Sequence, residues 1–171
     1  MKILVSMLLM RLLLAPSAFA QKIATLREIG LLGVQLDPFS QTDHEIGLSE
    51  DSLKSFVLEK LAKELSEIEV DPTSNDFIRV RIVSVKVNES SVVSRVSVEL
   101  DRYVSILRNE DNQPVGDAVA TVWGNDAMLV GSAEGIGPKI QAEIEKQLTA
   151  FVTEYHRQNP QHSTNAPAGC L

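Results

Sequence analysis

Two runs rich in β-branched residues, Phe77 to Val87 and Val92 to Leu100, flank the polar stretch Asn88-Glu-Ser-Ser91. No other feature restricts the fold of this chain as strongly. Val and Ile side chains are stiff at χ1 and fit a pleated surface better than a helix. The two runs therefore predict a long antiparallel hairpin, and the remaining segments read as material that covers one of its faces.

Period-two alternation assigns those faces. Ile78, Val80 and Ile82 share one side of the first strand, and Arg79 and Arg81 share the other. From Val83 onward the apolar set moves to odd positions, Val83, Val85 and Val87, which calls for two buried faces or a phase-shifting bulge. On the second strand Val96, Val98 and Leu100 point inward while Arg95, Ser97, Glu99 and Asp101 point outward. A loop at Glu89 to Ser91 sets Arg81 opposite Glu99 and Arg79 opposite Asp101.

Two amphipathic helices are equally plain. Ser49 is an N-cap followed by Glu50 and Asp51, acids that suit a helix N-terminus. Leu53, Phe56, Val57, Leu61, Leu65 and Ile68 then recur at three- and four-residue steps. A second helix runs from about Pro138 to Arg157, with Ile140, Ile144, Leu148, Phe151, Val152 and Tyr155 on its stripe. A first strand is expected from about Ile29 to Leu36, where Gly30 and Gly33 mark a bulge or a close backbone approach. A last strand runs from Val115 to Trp123, after which Gly124-Asn-Asp126 turns the chain.

The order is β-α-β-β-β-α. It predicts an α+β two-layer sandwich, with both helices packed on one face of a mostly antiparallel four-stranded sheet. Only the first helix can cross over between parallel strands. The βαβ repeats of a doubly wound nucleotide-binding sheet are missing.

The ends read differently from residues 21–157, which make up a single domain. Lys2, the apolar run after it, and the small residues Ala18 and Ala20 before Gln21 form a secretory signal cleaved after residue 20. This places the mature chain in the periplasm or outside the cell. Residues 158–171 are polar and interrupted by Pro160 and Pro167, a disordered tail in expectation. Cys170 is the sole cysteine, so an internal disulfide is excluded and an intermolecular one is the alternative to an exposed thiol. With a formal net charge of −7, made more acidic by loss of Lys2 and Arg11, the chain is repelled by nucleic acid phosphates.

Few residues point to chemistry. Asp43, His44 and Glu45 are metal-ligand types in a row, but adjacent side chains seldom converge on one ion. Ser49 sits between a strand and a helix without the second glycine of a nucleophile elbow, and its capping role accounts for it. Gly131, Gly135 and Gly137 precede a helix without the spacing of a phosphate loop, and Glu134 repels an anion. Asn88 heads an Asn-Glu-Ser glycosylation pattern at the hairpin tip. No cofactor is implied.

The segments Gly47-Leu-Ser-Glu-Asp-Ser-Leu53, Val96-Ser-Val-Glu-Leu100, Ala120-Thr-Val-Trp123 and Phe151-Val-Thr-Glu-Tyr155 resemble small exported bacterial α+β proteins without an assigned role. The element order from Leu26 to Asn159 is similar to the lipopolysaccharide-assembly accessory lipoprotein and to the amino-terminal domain of the Tol translocation protein. The resemblance implies a partner or scaffold with no catalytic residue to carry over. Lipoprotein members carry a cysteine directly after the signal, where Gln21 stands here.

The expectation is a non-enzymatic adaptor or binding domain of the bacterial envelope whose partner is another envelope protein. Its contact surface is a sheet edge or the face opposite the helices, around Arg79, Arg81, Arg95 and Trp123. A small-ligand or metal-binding protein is the alternative, and a small hydrolase using Ser49 the third reading.

Overall fold

A computed structural model describes residues 26, 27, 29–107 and 114–160. The signal-cleavage residues Ala18, Ala20 and Gln21, the Cys170 thiol and most of the expected tail lie outside them. The described elements are strands β1 (Leu31–Leu36), β2 (Glu69–Val70), β3 (Asp76–Lys86), β4 (Ser91–Leu107) and β5 (Pro114–Ser132), with helices α1 (Gln41–Glu45), α2 (Glu50–Glu64) and α3 (Ile136–Gln158). The strands form one mixed sheet in the order β2-β1-β3-β4-β5.

The expected sandwich is present with one more strand and one more helix. β1 runs parallel to both β2 and β3, so α2 is the crossover between parallel strands, while β3, β4 and β5 form an antiparallel meander. The sheet therefore has five strands rather than four. Glu69 and Val70 form β2 by pairing with Leu31 and Leu32, a ladder too short to leave a period in the sequence. The short helix α1 owes its existence to a capping box, in which Ser40 and Asp43 satisfy each other's backbone N–H groups.

Gly33 marks a close approach. A side chain there would meet Asp71 O and Phe77 Cβ, each 3.2 Å from the ideal Cβ position, because the chain leaving β2 crosses over β1 at this point.

Both long helices pack on the same face of the sheet. Ser49 Oγ caps α2 by accepting from Ser52 N at 3.4 Å, and Leu53, Val57 and Leu61 are buried from it. Leu65 and Ile68 lie beyond its last turn yet remain in the core. α3 starts earlier than expected, at Ile136, and Gly137 in its first turn lies against the C-cap of α1: a Cβ there would stand 2.9 Å from Ile46 O. Between helices and sheet lies the core, with Ile78, Val80, Val96, Val98 and Leu100 facing Ile140, Ile144, Leu148 and Phe151, all fully buried.

Gln147 is a buried polar group of this core. Its Oε1 accepts from Val98 N at 3.0 Å and its Nε2 donates to Val96 O at 3.4 Å, which ties α3 to the backbone of β4. At the far end of α3, Asn159 Nδ2 donates to Leu26 O at 2.7 Å and Leu26 N donates to Gln158 Oε1 at 3.1 Å.

Three expectations about the strands change. The hairpin loop is Asn88-Glu89-Ser90, one residue earlier than expected, so Arg79 faces Glu99 and Arg81 faces Ser97. Asn88 Oδ1 holds this turn by accepting from Ser90 N at 3.0 Å. Gly124-Asn-Asp126 is not a turn: these residues continue β5 opposite Glu99, Val98 and Ser97. The β3 phase change has neither expected cause. Its pairing with β4 runs unbroken through Val83 and Val85, and these valines with Val87 project from the uncovered face.

Candidate functional site on the open sheet face

The helices leave the opposite face of the β3-β4-β5 meander open. Arg79, Arg81 and Arg95 all project there, as their alternation requires. The structure brings these three of the four expected contact residues onto one surface. Trp123 is not among them.

The reason is a bulge in the β4-β5 ladder. Leu100 pairs with Trp123 and Asp101 with Thr121, so Val122 is an extra residue that reverses the alternation of β5. Trp123 turns to the helix side, where its ring meets Phe151 edge-on at 5.2 Å.

The middle of the open face is a charge network. Arg79 Nη1 lies 3.0 Å from Asp101 Oδ2, and its Nε lies 3.7 Å from Asp37 Oδ1. Asp101 also accepts from Thr121 Oγ1 at 2.6 Å and is fully buried. Arg81 Nε donates to Asp37 Oδ2 at 2.6 Å, and this bond pushes the guanidinium pKa up from its ordinary value. Phe77 belongs to this face yet is buried, under Arg79 at 5.4 Å from its ring centroid and beside Tyr103 at 5.9 Å. Arg79 and Arg81 therefore hold loop and strands together. Arg95, paired with Asp126 at 3.3 Å, is 60% exposed along its side chain and is the freest of the three arginines.

Toward the hairpin tip the face becomes apolar. Val83, Val85, Val87, Met128 and Val130 are between 51% and 70% exposed. Val85 pairs with Val93, which pairs with Val130, while Arg95 stands between Val83 and Met128 in the ladders. The result is a continuous greasy surface across three strands with one cation inside it. Unbroken alternation from Arg79 and Arg81 would have placed the valines here. Met128 and Val130 were hidden by the turn expected at Gly124.

The other sequence candidates are spoken for. Asp43 is buried and accepts from Ser40 N at 2.8 Å, His44 lies against Phe39 at 6.0 Å between ring centroids, and Glu45 pairs with Lys86. Lys86 and Gln41 lower the Glu45 pKa. The three side chains diverge, and no cluster of three metal-ligand types occurs among the described residues. Ser49 lines a cavity of about 120 Å³ with Ser52 and Gln141, and its hydroxyl serves the helix N-terminus. Gly131 lies next to the last residue of β5, opposite Val92, Gly135 N donates to Ser132 O at 3.1 Å, and Gly137 lies against Ile46 at the end of α1. Asn88 is exposed at the hairpin tip. A second cavity, about 230 Å³, lies between Asn75, Tyr103, Ser105 and Asp117, where Ser105 Oγ donates to Asp117 Oδ1 at 2.9 Å. No described helix is long and apolar enough to cross a membrane.

No family model matches the chain, and no curated protein matches it. Solved structures overlap it at low levels. A neuraminyllactose-binding hemagglutinin homolog from Helicobacter pylori is 9% identical with a TM-score of 0.31, covering 79% of this chain and 90% of its own. A minor lipoprotein from Acinetobacter baumannii is 10% identical with a TM-score of 0.26, covering 78% and 95%. At these values neither likeness extends to what those proteins do.

Proposed function

We propose that this protein is a non-enzymatic binding or adaptor domain of the bacterial envelope that presents its open sheet face to another envelope protein. Residues 1–20 act as a signal removed after Ala20, residues 21–157 form the working domain, and the protein acts in the periplasm or outside the cell. The exposed row Val83, Val85, Val87, Met128 and Val130 carries this reading. Contiguous apolar surface of this kind on a water-facing sheet is a mark of protein contact. The charge network beside it fixes the strands, so the surface is preformed, which lowers the ordering cost of binding.

Photo-crosslinking in intact cells tests it. A photoreactive residue at Val85 is expected to give discrete protein adducts that the same residue at Lys63, on the outer side of α2, does not. Identical patterns from both sites, or none from either, would remove the reading.

A further inference from the structure

The two edges of the sheet are treated unequally. One ends in β2, two residues long. The other is β5, nineteen residues long, and among the described residues no further strand pairs with it. Proteins ordinarily blunt such an edge by shortening it, by bulging it, or by placing Lys or internal Pro along it. Past its bulge at Val122, β5 has none of these: no Lys or Arg occurs between Pro114 and Ser132, and its one proline is its first residue.

Two features bracket its regular part. The bulge at Val122 interrupts it on one side, and Lys139 Nζ, 3.5 Å from Val130 O, guards it on the other. Residues 123–128 lie between, about the length of an ordinary strand. On the open face this stretch shows Met128 beside the apolar row and Asp126, with Glu99 close behind Gly124. Asp126 pairs with Arg95 at 3.3 Å yet keeps 59% side-chain exposure, and so can accept from a second cation. A second copy would set Asp126 and Glu99 against their own kind, with a net charge of −7 on each chain.

From this, and resting on the adaptor reading above, we propose that residues 123–128 of β5 receive an extended segment of a partner protein as a sixth, antiparallel strand. That segment places an apolar side chain beside Met128 and a Lys or Arg, two residues later, beside Asp126. The backbone ladder gives affinity, and the alternate side chains give selectivity.

Three synthetic nine-residue peptides test this on the full chain: alternating Val and Thr with one Arg, the same with Glu for Arg, and the Arg peptide with a central Pro. The Arg peptide is expected to bind at least ten-fold more tightly than the other two and to slow amide exchange within residues 123–128. Asp126→Lys should reverse the Arg-over-Glu preference while costing no more than the exposed Arg95 pair it removes, a shift of a few degrees at most in the melting temperature. Equal binding of all three peptides, unchanged exchange at this edge, or self-association of the chain through the same amides would overturn the inference. Adducts at Val85 alongside any of those results would leave the adaptor reading standing and remove only the edge.

Discussion

Arg79 stands opposite Glu99 in the β3-β4 ladder, yet its guanidinium reaches diagonally to Asp101, 3.0 Å away. To do so it crosses the ring of Phe77, the residue that does face Asp101. The diagonal is favoured because Asp101 is fully buried and already accepts from Thr121, whereas Glu99 is half-buried. A buried carboxylate has far more to gain from a cation than a partly solvated one.

Breaking this pair from one side should be costly. Asp101→Ala leaves Arg79 with Asp37 as its remaining anion and is expected to lower stability by about 2–4 kcal/mol. Arg79→Met should do similar damage, and the double variant should lose at least about 1 kcal/mol less than the two singles together. Urea denaturation of the four chains checks this; strict additivity would show the residues to be uncoupled.

Gln147→Leu keeps the size of the side chain and removes its amide. Val98 N then loses the acceptor seen at 3.0 Å, so a loss of about 1–3 kcal/mol is expected. Faster hydrogen exchange at Val98 should accompany it, since that amide is the group set free.

Gly33 and Gly137 should resist substitution for lack of room. Gly33→Val drives side-chain atoms toward Asp71 O and Phe77 Cβ, and Gly137→Ala presses on Ile46 O. Each is expected to cost about 1–3 kcal/mol, while Gly116→Ala, which has open space, should stay within about 1 kcal/mol of the parent. Thermal melts of the three variants decide it.

Burial, with help from Glu67, pushes the Tyr155 phenol pKa up. The folded chain then holds that proton more firmly than the unfolded chain, whose tyrosines titrate near pH 10. The contribution is whole below about pH 10 and falls away as the pH rises through the folded value. Melting temperatures measured from pH 8 to 11 should drop at the alkaline end, and Tyr155→Phe should flatten that drop.

Val85→Lys should separate binding from stability. The residue is 59% exposed, so the change is expected to shift unfolding by no more than about 0.5 kcal/mol. Adducts formed from a photoreactive residue at Met128 should nevertheless fall several-fold.

What the sequence disclosed followed from strong local signals. Alternation in the hairpin and the helical stripes through Leu53 and Ile140 located the meander and both long helices, and Ser49 announced the cap. The losses have physical causes. β2 is too short to carry a pattern and exists because β1 offers it a ladder. Gly124-Asn-Asp126 has turn composition, but Val92 to Val98 of β4 need a strand beside them, and pairing overrode local preference. The bulge at Val122 sent Trp123 away from the surface where strict alternation would have kept it with Thr121. A one-residue change in the loop moved the hairpin register by two, which preserved the faces and changed the partners.

The bond from Asn159 to Leu26 joins positions 133 residues apart, and Leu26 is fully buried. The first described side chain therefore waits for the last described turn before its surroundings are complete. A chain leaving a ribosome or a narrow channel amino end first completes the surroundings of Leu26 only after residue 159 has emerged, so the two ends of the described domain order together.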